Sequence, residues 1–106
     1  MSRLQMIIVL RHELSHDACI VAVSHASLGT YLTFENDPIM QEWRNTSFVK
    51  VIKQAMNAIQ FQAIKKLGLQ HRVFTESRLD NLEVSVGFLP MSNPPIILKD
   101  VPLYKG

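Results

Sequence analysis

The sequence predicts an α/β layered domain, and three observations carry that expectation. Residues 4–10, LQMIIVL, form a continuous apolar run that suits a central strand buried on both faces. Helical periods follow at residues 18–32 and 57–67, and β-branched or apolar runs at 48–52, 72–75 and 84–89 supply further strands. The resulting order, β, α, β, α, β, β and a short closing helix, is that of helices layered on a sheet.

After the first strand come the polar residues 11–17, where Ser15 or Asp17 suits the cap of a helix running from Ala18 to about Leu32. On a helical wheel Ile20, Val21, Leu28, Tyr31 and Leu32 share one side, expected to pack on the sheet. The other side carries Ala18, Cys19, Ala22, Val23, Ala26 and Gly29, small or apolar residues that permit close approach. Two readings stand for it: a fully internal helix, or a homodimer contact.

Residues 35–38 read as a turn and residues 39–43 as a short helical turn before the second strand at 48–52, FVKVI. The next helix has Ile59, Ala63 and Leu67 on one side and Gly68 as its C′ residue, with Phe61 outside that stripe. Strands at 72–75 and 84–89 flank a polar stretch at 76–81. Pro94 and Pro95 open a last short helix to about Asp100, and residues 102–106 form a terminal extension.

At 106 residues the chain has the size of a single domain, 1–106, with no separate cofactor domain and no cofactor expected. Eleven Lys plus Arg against nine Asp plus Glu leave a net charge of +2, too small an excess to indicate a nucleic-acid surface. Lys50, Lys53, Lys65 and Lys66 offer a candidate basic patch for nucleic acid, but Lys65 and Lys66 read as solvated residues on the polar side of a helix. Cys19 is the only cysteine, which excludes an intrachain disulfide and fits a reducing compartment. The apolar run of residues 6–10 is far too short to span a membrane and lacks a small-residue cleavage site, so a cytoplasmic protein without membrane contact is expected.

Residues 12–16 spell HELSH, a literal match to the HExxH zinc pattern. That chemistry needs His12 and His16 one helical turn apart, with Glu13 activating water. Here the residues directly follow the best strand of the chain, and no third ligand stands at a recognisable spacing. The string is read as a solvated loop leading into a helix, with no metal assigned.

The stretch MIIVLRHEL, followed by a short loop and a helix containing SHASLG, resembles the start of the type II peptidyl-tRNA hydrolases. Arg11, Glu13, Leu14, Ser24, His25, Ala26 and Gly29 stand at the matching positions. Trp43 before the second strand, residues 65–69, KKLGL, and the strand at 84–90 continue the resemblance more weakly. It implies a three-layer α/β/α domain with a four-stranded mixed sheet, often dimeric, in a family that cleaves the ester joining peptide to tRNA. The departures fall on the chemistry. Where the family carries a lysine just inside the first helix this chain has Ala18, and where it carries a following glutamine this chain has Ala22. An amine there can hold phosphate or a developing oxyanion; a methyl group can do neither. Of the acidic loop after the third strand only Glu76 is kept, and residues 77–80 do not reproduce it.

The expected site lies where the first strand hands over to the first helix. That places Arg11, His12 and Asp17 as ligand-binding candidates, with His16 as general base and Glu76 opposite it as the acid. His25 is read as a packed, hydrogen-bonded histidine and Ser24 as a packing residue. The leading expectation is a divergent, catalytically degenerate domain that binds or regulates as a homodimer. The alternatives are an active hydrolase of peptidyl-tRNA or a related ester, and a zinc hydrolase through HELSH.

Overall fold

A computed structural model describes residues 3–106; Met1 and Ser2 lie outside the described residues. The elements are β1 (Gln5–Leu10), α1 (His16–Thr33), α2 (Pro38–Asn45), β2 (Val49–Gln54), α3 (Ala58–Lys65), β3 (His71–Glu76), β4 (Leu82–Phe88) and α4 (Ile96–Lys99), with a 3-10 turn at Ser77–Leu79. They form a four-stranded mixed sheet of order β2-β1-β4-β3, in which β1 runs parallel to β2 and antiparallel to β4. The expected α/β class and mixed sheet are therefore present.

Alternation along β1 explains the layers. Ile7 and Val9 pack with Phe61, Ile64, Leu98 and Val101 under α3 and α4. Met6 and Ile8 pack with Ala26, Met40 and Trp43, and Leu10 with Cys19 and Ala22, under α1 and α2. Met6 through Leu10 are all fully buried, as a strand covered on both faces requires. Ser15 caps α1, its hydroxyl accepting from the Ala18 N–H at 3.2 Å.

The face of α1 that packs on the sheet is the reverse of the one expected. Cys19, Ala22, Ala26 and Thr30 are buried, whereas Ile20, Leu28 and Leu32 remain 53%, 61% and 52% exposed. The reason is separation. A Cβ on Gly29 would overlap the Phe74 ring of β3, and one on Gly87 of β4 would overlap the Thr30 side chain. Helix and sheet approach too closely there for large side chains between them. The small residues hold the seam, and the large ones are left outside.

A similar reversal occurs on α3, where Phe61 and Ile64 are fully buried and Ile59 is 82% exposed. This helix has two turns between its Asn57 cap and Lys66, too few for its apolar stripe to be read securely from periodicity. Gly68 adopts the left-handed φ of 77° just beyond it. Strand β2 begins at Val49 rather than Phe48, whose φ of 53° takes it out of the extended region.

The pairing of β3 and β4 shifts register between Phe74 and Thr75: Phe74 faces Ser85, but Thr75 faces Glu83. Val84 is the extra residue of this bulge. It turns to the α1 side, packing with Leu10, Cys19 and Ala22, while Glu83 reaches Lys65 of α3 in an ion pair. The bulge thus re-aims one side chain beneath α1. At the opposite edge residues 102–104 lie along β2, with Gln54 N–H donating to the Pro102 carbonyl and Tyr104 N–H to that of Ile52.

Candidate functional site

A crevice runs between one flank of α1 and the end of β3. Alternation along β3 turns Arg72, Phe74 and Glu76 toward α1. Helical spacing brings Ala18, Ala22, His25 and Gly29 along the facing flank. Three adjoining hollows share Glu76. The largest, about 710 Å³, is an open groove past His25, Leu28 and Arg72. One of about 300 Å³ lies by Asp17, Ala18, Val21, Arg78 and Leu79. A closed one of about 10 Å³ has Ala18, Ala22 and Val84 in its wall.

Glu76 is the charged centre of this crevice. Its Oε1 accepts from Arg78 Nη2 at 2.9 Å and Nε at 3.3 Å, and its Oε2 accepts from the Arg78 backbone N–H at 3.3 Å. The side chain of Glu76 is 16% exposed and that of Arg78 72%. These hydrogen bonds, with a smaller contribution from the nearby His25, hold the Glu76 carboxyl below the usual carboxylate range. Opposite stand the methyl groups of Ala18 and Ala22, which offer neither charge nor hydrogen bond to the carboxylate.

The expected site residues divide between different surroundings. Asp17 shares the 300 Å³ hollow with Glu76. His16 is on the other flank of α1, its Nδ1 2.5 Å from the Tyr104 hydroxyl and its ring stacked on that tyrosine. Arg11 donates to the Glu83 carbonyl at 3.2 Å and lies over the Phe61 ring. His12 meets Phe61 edge-on. The Glu76 hollows therefore bring together Glu76 and Asp17 of the five candidates, with Arg11, His12 and His16 lining none of the three.

HELSH does not form the helix that two-histidine zinc binding needs. His12 and Glu13 form a turn, Glu13 has a φ of 60°, and α1 begins only at His16. Nor is His25 packed as expected: it is exposed beside the crevice. The lysines likewise do not form one solvated patch. Lys53 is buried and donates to the Lys99 and Val101 carbonyls, both at 3.0 Å, and Lys65 is paired with Glu83.

Cys19 lies on the His16 flank, 1% exposed, with Gln54 Nε2 at 3.7 Å from its sulfur. Burial pushes its thiol above the usual range, more than the hydrogen bonds of Tyr104 and Gln54 lower it. Arg78 is the crevice residue that sequence reasoning missed, and His25 is the one it assigned to packing. The signal available for His25 was its spacing of seven from Ala18, two helical turns along one flank.

A mixed sheet of order β2-β1-β4-β3, covered on both faces and opening beside its first helix, defines a small layered α/β domain with an acid at the helix–strand seam. The sequence profile of the family described as peptidyl-tRNA hydrolase PTH2 matches residues 4–90, from the start of β1 past the end of β4, and the chain belongs to this family. No curated protein matches the chain.

Proposed function

We propose that this protein is a catalytically degenerate peptidyl-tRNA hydrolase-like domain, one unit over residues 1–106, acting as a cytoplasmic binding or regulatory homodimer. The observation that carries the reading is the pair of methyl groups, Ala18 and Ala22, set opposite Glu76. Cleaving an ester requires stabilisation of the oxyanion that develops on the carbonyl, and a methyl group supplies none. The carboxylate is itself engaged by Arg78, so attack by a water it activates would first cost that pair. The dimer is supported by the ridge Ile20, Leu28 and Leu32 along the outside of α1, large apolar side chains left to water. Among the described residues no helix is long and apolar enough to cross a membrane.

One observation favours a second reading. His25 stands exposed in the same crevice as Glu76, where an imidazole is placed to serve as general base. On that reading the protein still cleaves peptidyl-tRNA or a related ester without the lysine.

Single-turnover hydrolysis of peptidyl-tRNA by metal-analysed protein separates the two, run beside Glu76→Ala, His25→Ala and His16→Ala variants. The degenerate reading expects no cleavage above background, and expects the double substitution Ala18→Lys with Ala22→Gln to raise the rate. Wild-type cleavage that disappears in the Glu76 or His25 variant sinks it in favour of a rebuilt active site.

A further inference from the structure

One edge of the sheet is covered by the chain only in part. β2 is the outermost strand beside β1, and residues 102–104 pair with its far half alone. Gln54 N–H donates to the Pro102 carbonyl at 3.0 Å and Tyr104 N–H to the Ile52 carbonyl at 2.9 Å. At Tyr104 the chain turns away from the edge, because that ring packs with Cys19 and Ala22 and stacks on His16. Alternation along the strand fixes which groups remain. Ala55 N–H donates inward to Leu10 of β1, so odd-numbered residues of β2 turn their backbone groups to β1, and Lys50, Ile52 and Gln54 turn theirs outward. The N–H and C=O of Lys50 and the N–H of Ile52 therefore stand at the open edge with no backbone partner among the described residues.

Both faces beside that edge can receive side chains. On the α2 face the Lys50 ammonium lies 3.5 Å from the centre of the Phe48 ring, and Phe48 is itself 54% exposed. On the α4 face is a hollow of about 700 Å³ lined by Ile7, Val49 and Val51 of the sheet and by Leu103. Its outer wall is held in place by Lys53, which donates to the carbonyls of Lys99 and Val101. The basic residues of the lining are Arg3, Lys53 and Lys99, against Asp100 as its one carboxylate. Arg3 and Lys99 are exposed and belong to neither ion pair among the described residues.

These features select an occupant. Outward N–H and C=O groups along a strand edge match the main chain of an extended peptide, whereas a nucleic acid presents phosphate and has no such ladder to offer. A second copy docked through the same groups would bring two Lys50 side chains together, and like charges oppose pairing. The excess of cations in the hollow favours carboxylates on the side chains that enter it.

We propose that the open half of β2 binds an acidic peptide as an added strand. Its main chain pairs with Lys50 and Ile52, its carboxylates turn into the hollow toward Arg3 and Lys99, and its intervening side chains lie against Phe48. The site is on the opposite edge of the sheet from Glu76 and does not depend on what that crevice does.

The test is a titration of isotope-labelled protein followed by amide shifts and hydrogen exchange. The probes are a capped hexapeptide of alternating threonine and glutamate, the same peptide with lysine for glutamate, the glutamate peptide with its amide nitrogens methylated, and oligouridylate. The glutamate peptide is expected to shift the amides of Val49 to Ile52 and to slow exchange at Lys50 and Ile52, which side-chain contact alone would not do. Methylation removes the donors without changing the charge and abolishes that protection, and the lysine peptide binds more weakly. Lys50→Pro deletes an outward N–H while sparing the ladder to β1, and is expected to weaken glutamate-peptide binding by about tenfold or more. Lys50→Gln, which keeps that N–H, stays within about threefold of wild type, and Arg3→Gln with Lys99→Gln costs about threefold to tenfold, the scale of exposed ion pairs.

Preserved amide dispersion shows that each variant is folded; should Lys50→Pro unfold, the methylated peptide on the wild type carries the same test. Equal binding of the methylated peptide, tighter binding of the lysine peptide or of oligouridylate at this edge, or no shift at Lys50 overturns the proposal. Shifts in β2 that follow protein concentration without peptide overturn it in favour of a second copy. Peptidyl-tRNA hydrolysis reads the Glu76 crevice separately, and either result there leaves the β2 titration to be judged on its own.

Discussion

Gly29 and Gly87 set the distance between α1 and the sheet. Each lies where a Cβ would enter a neighbouring side chain, Phe74 for Gly29 and Thr30 for Gly87. Because Thr30 is fully buried it has little room to yield, so Gly87→Ala is expected to cost about 1–3 kcal/mol of stability, the usual range for overpacking. Chemical denaturation midpoints of the two proteins measure it. Cys19, nearly inaccessible and with its thiol pushed up by burial, is expected to resist alkylation at neutral pH in the native state and to react fully once the chain is unfolded. Equal labelling rates in water and denaturant would contradict the buried placement.

The Glu76 carboxyl titrates below its unfolded value, chiefly because Arg78 holds it. The unfolded chain therefore binds that proton more tightly. Whatever stability the pair contributes is present above the ordinary glutamate range and is lost as pH falls through the lowered value. Arg78→Gln is expected to move the Glu76 titration upward, observed on the side-chain carbonyl by NMR. An unmoved titration would mean that Arg78 is not the cause.

At the scale of elements, the bulge in β4 and the strap along β2 are the two departures from a plain sheet. The bulge turns Val84 beneath Ala22 and sends Glu83 to Lys65, so one extra residue serves both faces. The strap depends on Lys53, whose ammonium donates to the carbonyls of Lys99 and Val101 and so ties α4 and the following segment to β2. Lys53→Met keeps much of the apolar stem but leaves both carbonyls without that donor. A loss of about 1–3 kcal/mol is expected in urea unfolding at neutral pH. Burial also pushes the Lys53 amine below its ordinary range, against a smaller opposing effect of Asp100. The unfolded chain then holds the proton longer, so this group makes the wild type gain stability as pH rises from the lowered value toward the lysine range. The Lys53→Met variant should lack that gain.

For the whole molecule, the proposed association rests on the outside of α1. Leu28, at 61% exposure, stands at the middle of the ridge flanked by Ile20 and Leu32. On the proposed homodimer, Leu28→Asp places two like charges at a two-fold contact and is expected to give monomers by light scattering, with the melting temperature of the separated chain little changed. A wild type that is already monomeric at high concentration removes this contact from the reading.

The sequence by itself determined the type and order of the four strands and of α1, α3 and α4, though not the full helix α2, because hydrophobic period and turn chemistry are local: residues 4–10 announced the central strand, and Ser15 stood where the α1 cap forms. It also marked Ala18 as the position where the resemblance implies a lysine, since that needs only the identity of one residue. Tertiary structure alone decided which side of α1 is inside. That helix is apolar around most of its circumference, so its wheel balances, and close approach at Gly29 and Gly87 tips it. The site followed the same logic. Glu76 was legible as an acid after the third strand, but its partner Arg78 depends on how the 3-10 turn folds back. The separation of His16 from Glu76 depends on the two flanks of α1 facing different strands, a distance that no spacing along the chain records.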